Sequence, residues 1–299
     1  MKGPAPVPDK IKAIAARLNL HRFGREWRGR CPACGYGSGA FSVTIGTHGK
    51  LLFWCAACQD RAALAATLEA AGAGQLPARH DDDGAEAHRA AEAKRKARDA
   101  AATIWNGSVP ARHDDPAGRY LASRRLEIAI GNSALRYRRD TPHPDRRRYP
   151  ALICRVDGVQ GELIAIHRIY VRPDGTKANT MPSKAAKGPI WGGAIRFGTG
   201  PEVVIAEGPE TALAAGILLN LPSWSAIAAG NLAKGLVLPP DVRSVVIAAD
   251  HDKPGIEAAQ DACRRWRREG RAVRLVLPHG EGSDFADLLA DLMNKRGAQ

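Results

Sequence analysis

The 299 residues suffice for about two domains of ordinary size, and a hydrophobic content of 44% can fill their cores. The formal net charge of +13 favours a polyanionic partner, because each phosphate neutralised releases condensed counterions. No apolar run approaches the roughly 20 residues that span a bilayer, and Met1-Lys2-Gly3-Pro4-Ala5-Pro6 lacks the apolar stretch of a secretory signal. The expected location is the cytoplasm, with no membrane partner.

Pro4, Pro6 and Pro8 keep the first residues extended, and Asp9 can cap a short helix in which Ile11, Ile14, Ala15 and Leu18 recur at helical spacing. Cys31-Pro32-Ala33-Cys34 and Cys55-Ala56-Ala57-Cys58 follow, with twenty residues between the pairs. Four cysteines at that spacing in a reducing compartment point to one tetrahedral zinc ion rather than disulfides. Two strand-like runs, Phe41 to Ile45 and Leu51 to Trp54, flank a hairpin turn at Gly46-Thr47-His48-Gly49. A closed four-thiolate site leaves no open coordination position, so the zinc is expected to be structural, and His21 and His48 are read as surface or nucleic-acid-facing residues.

Around this module Arg22, Arg25, Arg28, Arg30 and Lys50 alternate with Trp27, Tyr36, Phe53 and Trp54. Cations for phosphates and rings for unpaired bases are the ingredients of single-strand binding. Arg28, Arg30 and Trp54 are the candidates; one of Phe53 and Trp54 is expected to pack the module itself. Cys154 and Cys263 stand alone in apolar segments and are read as core residues.

Arg61 to Ala71 is alanine-rich and helical. Gly72-Ala73-Gly74 and Asp81-Asp82-Asp83-Gly84 mark a linker, after which Ala85 to Trp105 suits an exposed helix that docks at its end. A basic middle region carries strands at Ala151 to Val156 and Leu163 to Val171, with turns at Asp157-Gly158 and Pro173-Asp174-Gly175. Arg168, Arg172, Lys177, Lys184 and Lys187 there could line a template or nucleotide groove, or form a solvated basic hairpin.

The last hundred residues alternate strand and helix. Strands are expected at Glu202 to Ala206, Trp224 to Ala228, Ser244 to Ala249 and Ala272 to Leu277. Helices are expected at Glu210 to Leu219, Gly255 to Glu269 and Phe285 to Met293. That alternation implies a mostly parallel sheet covered on both faces.

Glu207 directly follows the first of these strands, Asp250 and Asp252 follow the third, and Asp284 with Asp287 follows the last. Acids at the carboxyl ends of parallel strands sit in the crevice where open α/β sheets bind ligands. Alternation allows Asp250 and Asp252 to project to the same side of their loop. Three acidic loci repel one another unless cations bridge them, and hard oxygen ligands suit magnesium or manganese. Metal-assisted phosphoryl transfer to a 3′-hydroxyl follows from such a site. Each acid also has a plain structural use, as a helix cap or a turn residue.

Glu207-Gly208, Asp250-His251-Asp252 and Gly255 together resemble the motifs of the Toprim family, over roughly Gly200 to Met293. That family joins bacterial primases, topoisomerases and some nucleases. The resemblance implies a general acid/base or metal-linked role for Glu207 and magnesium coordination by Asp250 and Asp252. Asp284 looks like the further acid that primases of the family add, although Ser283 stands where lysine is usual and Ala286 where asparagine often appears. Ile164-Ala165-Ile166-His167-Arg168 and Pro189 to Arg196 look like segments preceding the Toprim domain in primase-like proteins of phages and plasmids.

The expected class is α/β: a Toprim-like, mostly parallel sheet with flanking helices, preceded by a small zinc-ribbon-like module and an α+β middle region. The expected units are 1–72, the helix and zinc module; 73–103, the linker and exposed helix; 104–199, the basic primase-core subdomain; and 200–299, the Toprim catalytic domain. The expected function is a DNA primase that makes short RNA on single-stranded DNA from nucleoside triphosphates, in a phage, plasmid or integrated element. The alternatives are a Toprim nuclease and a non-catalytic single-stranded-DNA-binding replication factor. No Gly-X-X-X-X-Gly-Lys-Ser/Thr loop occurs, so a separate helicase is the expected partner.

Overall fold

The computed structural model describes residues 9–24, 26–37, 39–46, 51–55, 58, 60–74 and 83–297. Pro4, Pro6, Pro8, Arg25, Thr47, His48, Gly49, Lys50 and the first two linker aspartates lie outside the described residues, as does the side chain of Asp9.

The N-terminal unit opens with α1 (Asp9–Arg17), which buries Ile11, Ile14 and Ala15. An antiparallel sheet follows in the order β1 (His21–Phe23), β2 (Glu26–Gly29), β3 (Phe41–Ile45), β4 (Leu51–Cys55). Period-two alternation sends Phe41, Val43, Phe53 and Cys55 inward and leaves Trp54 outward, with Phe53 7% and Trp54 42% exposed. The packing ring is therefore Phe53. Helix α2 (Arg61–Leu68) is capped by Asp60, whose carboxylate accepts from the Ala63 amide at 3.0 Å. Gly72, at φ 94°, ends the helical run, because only glycine enters that region without strain.

Helix α3 (Asp83–Asn106) packs its C-terminal part, through Ala101, Ile104 and Trp105, on the middle sheet. That sheet is an antiparallel meander: β5 (Val109–Pro110), β6 (Leu135–Pro142), β7 (Arg148–Asp157), β8 (Leu163–Tyr170) and β9 (Lys184–Lys187), with α4 (Pro116–Ser123) between β5 and β6.

The third sheet runs β10 (Ile195–Arg196), β12 (Ser223–Ser225), β11 (Glu202–Ala206), β13 (Ser244–Ala248), β14 (Ala272–Val276). All its pairings are parallel except β10 with β12. Both faces of β11 and β13 are buried. Val204, Ala206, Val246 and Ala248 share a core with α5 (Pro209–Leu219) and α7 (Phe285–Gly297), while Val203, Ile205, Val245 and Ile247 pack against α6 (Lys253–Arg268) and Trp266. Each such Val or Ile contributes roughly 1.5–3 kcal/mol by leaving water. The chain passes from β11 to β12 on one side and returns to β13 on the other. The strand order therefore reverses between β11 and β13, where open sheets form a crevice.

The middle sheet is tied to this one. Asp157 pairs with Ala194, and the Asn231 side chain clamps the Trp191 loop through the Gly192 amide and the Gly193 carbonyl. Arg196 lies over the Trp224 ring, 4.3 Å from its centroid. The Pro189–Arg196 segment is thus the joint between the two sheets.

Candidate active site and zinc module

Cys31 and Cys34 sit on the turn after β2; Cys55 ends β4 and Cys58 follows it. The four sulfurs lie within 4.8 Å of one another, with Cys31–Cys58 at 3.9 Å and Cys34–Cys55 at 3.8 Å. A tetrahedron of sulfurs at the usual Zn–S bond length has edges of about 3.8 Å. The four residues fit one zinc ion and would hold it as a structural centre. Cys154, on β7, and Cys263, on α6, are buried and stand outside this four-sulfur cluster.

The zinc knuckle does not stand apart. The Gly230 amide donates to the Cys34 carbonyl at 2.8 Å, and a Cβ on Gly230 would run into the Cys34 backbone. Arg30 Nη2 lies 3.8 Å from Glu207 Oε1, and Tyr36 enters the core and meets His167 of β8.

Beneath the knuckle a cleft of about 560 Å³ opens at the switch point. Glu207 enters it from the end of β11, Asp250 from the end of β13 and Asp284 from the start of α7. Burial raises the Glu207 carboxyl above the ordinary value, with repulsion from Asp252 adding to it and Arg30 opposing. Asp250 is pushed up to about 7, first by burial and then by Glu207, Asp284 and Asp252. Its Oδ1 is buried without a hydrogen-bond partner among the described residues. A buried oxygen with no donor, facing further carboxylates, is the environment a divalent cation relieves.

The other acids are partly committed to the fold. Asp252 caps α6, its Oδ1 accepting from the Gly255 amide at 2.7 Å, and it faces a neighbouring concavity rather than the cleft itself. Asp250 and Asp252 thus do not share one pocket, because the capping bond turns Asp252 toward its own helix. Gly255 is required there, since a Cβ would lie 2.7 Å from the Asp250 carbonyl. Asp284 Oδ1 accepts from the Ala286 and Asp287 amides, and the Asp284 amide donates in turn to Asp287 Oδ2. This reciprocal cap leaves Asp287 exposed and structural, with Asp284 Oδ2 toward the cleft side near Thr211, at 3.4 Å. Among the described residues only the cysteines bring three or more ligand atoms within 4.8 Å. Cations held by Glu207, Asp250 and Asp284 would complete their shells with water or substrate oxygens.

The cations Arg30, Arg124, Lys177 and Lys184 border the same cleft. Lys184 Nζ is 2.8 Å from Oε1 of the buried Glu210, which also accepts from the Tyr120 hydroxyl at 2.5 Å. Burial would raise the Glu210 carboxyl, but Lys184 and Tyr120 outweigh it and hold the group below the usual carboxylate range. The Glu210, Tyr120, Arg124 and His167 contributions had no signal in sequence spacing, since they join residues from separate units.

A second cavity of about 650 Å³ lies between the zinc module, α3 and β9, bordered by Arg28, Lys184 and Lys187. Trp54 belongs to neither cavity and lies on an outer face with exposed Leu52. Arg28 pairs with Glu26 at 2.8 Å and stacks on Phe23. Arg168 also borders the second cavity, but it is 6% exposed and its guanidinium donates to the Ala185, Ala186 and Pro142 carbonyls, so it braces β9.

A family model described as a Toprim domain matches residues 202–294, and one described as a domain of unknown function (DUF7146) matches residues 95–197. No curated protein matches the chain. Among solved structures the chain is similar to the zinc-binding and RNA polymerase domains of the Aquifex aeolicus primase, at 15% identity, covering 96% of this chain and 81% of that one with a TM-score of 0.42. It is also similar to the RNA polymerase domain of the Mycobacterium tuberculosis primase DnaG, at 12% identity, 68% and 82% coverage and a TM-score of 0.42. A third is the primase fragment of the bacteriophage T7 primase-helicase protein, at 10% identity, 56% and 67% coverage and a TM-score of 0.39.

Proposed function

Residues 202–294 being a Toprim domain, we propose that the chain is a DNA primase, joining nucleoside triphosphates into short RNA on a single-stranded DNA template. The observation that carries this reading is the cleft at the β11–β13 switch point, lined by the acids Glu207, Asp250 and Asp284 together with the cations Lys177, Lys184 and Arg124. That combination of charge suits a metal-bound triphosphate, whose oxygens need both.

Glu207, Asp250 and Asp284 would hold the divalent cations, which when bound acidify an attacking 3′-hydroxyl and neutralise the departing pyrophosphate. Glu207, already raised by burial, is placed to take up a proton at its carboxylate. Asp252 fixes the start of α6 and adds negative potential to Asp250. Arg124 and Lys177 offset phosphate charge, and Lys184, braced by Glu210, keeps its ammonium at the cleft wall. The zinc module would present Trp54 and its arginines to the template.

The test is synthesis of labelled oligoribonucleotides on single-stranded DNA with magnesium or manganese. A Toprim nuclease would shorten labelled DNA in the same tubes, and a non-catalytic binding factor would do neither.

A further inference from the structure

His167 lies on β8, 3% exposed, and lines the acidic cleft. Its Nδ1 is 2.9 Å from the hydroxyl of Tyr36, whereas its Nε2 is buried with no hydrogen-bond partner among the described residues. Nearby groups of the same cleft are engaged: Lys184 with Glu210, and Glu210 with Tyr120. An unpaired imidazole nitrogen in a buried wall costs about 1–3 kcal/mol unless something binds it.

Which nitrogen carries the proton follows from the partner of Nδ1. Among the described residues Nδ1 is the acceptor within reach of the buried Tyr36 hydroxyl, and a buried phenol O–H needs an acceptor, so it donates to Nδ1. Nδ1 is then the bare nitrogen, and Nε2 carries the hydrogen. Tyr36 itself is fixed by the zinc knuckle, since the Cys31 amide donates to the Tyr36 carbonyl at 3.0 Å. The chain of contacts runs from Cys31 through Tyr36 to His167 in the cleft wall.

We propose that His167, held by Tyr36 with its proton on Nε2, donates a hydrogen bond to a phosphate oxygen of the nucleoside triphosphate in the cleft. It is a neutral donor beside Lys177 and Lys184, so it adds direction to a wall that otherwise supplies charge. The zinc knuckle thereby takes part in nucleotide binding through Tyr36. The occupant is taken from the primase reading; the tautomer is not.

The experiment uses the full zinc-loaded chain. Binding of each of the four ribonucleoside triphosphates with magnesium is measured by calorimetry for wild type, His167→Phe and His167→Gln. Histidine labelled with nitrogen-15 reports the tautomer by NMR in wild type and Tyr36→Phe. His167→Phe is expected to weaken binding roughly tenfold or more, as loss of a hydrogen bond to a charged group does. His167→Gln, whose amide reaches the Nε2 position, is expected to stay near wild type. Wild-type His167 should show a protonated Nε2 that shifts with nucleotide, and Tyr36→Phe should spread the proton over both nitrogens. A protonated Nδ1 in wild type overturns the proposal, as does a folded His167→Phe that binds nucleotide unchanged; in both cases the primase reading survives. Wild-type protein that binds single-stranded DNA but no ribonucleoside triphosphate removes both.

Discussion

Arg30, on the zinc knuckle, holds its guanidinium 3.8 Å from the carboxylate of Glu207 at the end of the central parallel strand. Its Nε donates to the Gly35 carbonyl at 2.5 Å, so the knuckle's own backbone aims it. The zinc centre and the acidic cleft are therefore neighbours, and losing one should be felt in the other.

Metal analysis should find about one zinc per chain, and replacing Cys31 and Cys58 together should abolish it. Because the Gly230 amide donates to the Cys34 carbonyl, zinc removal should also speed hydrogen exchange at Gly230. Unchanged exchange there would mean that the knuckle docks without its metal.

The metal-free protein should lose stability as pH rises. Asp250 has a folded pKa of about 7 against an ordinary value of 3.8. Below 3.8 the group is protonated in both states and contributes nothing; between the two values the unfolded chain sheds a proton that the folded chain keeps, so stability falls, and above about 7 the loss is constant. In a chelator, Asp250→Asn should therefore raise stability by roughly 1–4 kcal/mol above neutral pH and leave it unchanged near pH 4. Denaturant melts at the two pH values measure this; an equal effect at both would place the cause outside ionisation.

Lys184→Met should cost roughly 3 kcal/mol of folding stability, because it strands the buried carboxylate of Glu210. Adding Glu210→Gln should return part of that loss. If Lys184 were instead a free ligand of the DNA backbone, the single variant would melt like wild type and bind DNA less tightly.

The zinc cysteines and the strand-end acids were legible because each is a local pattern: paired thiols at fixed spacing, and acids directly after apolar strands. The β6 strand was not, since it carries Arg136, Arg138 and Arg139 where a strand signal needs apolar or β-branched residues. Arg136 and Arg138 turn back to the Trp105 and Ile104 carbonyls at the end of α3, and Arg136 covers the Trp105 ring. Those cations answer the helix's exposed carbonyls and negative dipole end. The side of the cleft built by Tyr36, Tyr120, His167 and Glu210 was equally hidden. Tyr36 and His167 are 131 residues apart, and Tyr120 and Glu210 are 90 apart. The burial of Arg168 was not legible from its charge, because a basic residue in a strand can brace carbonyls as well as meet phosphate.

Trp54→Ala should fold normally, since the ring is exposed, and should weaken single-stranded DNA binding by roughly 1–3 kcal/mol if a base stacks on it. Fluorescence anisotropy of a labelled oligonucleotide reads this directly. Unchanged affinity would move the template contact away from the outer face of β4.

The central claim is that the acids at the β11–β13 crevice drive primer synthesis. The direct measurement is gel analysis of radiolabelled products from single-stranded DNA, four ribonucleoside triphosphates and magnesium or manganese. It compares wild type with Glu207→Gln, Asp250→Asn and Asp252→Asn, each first shown to bind DNA. Wild type is expected to give short RNA in a metal-dependent reaction. Glu207→Gln and Asp250→Asn should give none, and Asp252→Asn should fall with them, because it supports Asp250 by charge and by capping α6. Wild-type protein that makes no RNA on varied templates, or an Asp250→Asn variant that makes it as well as wild type, would contradict the account.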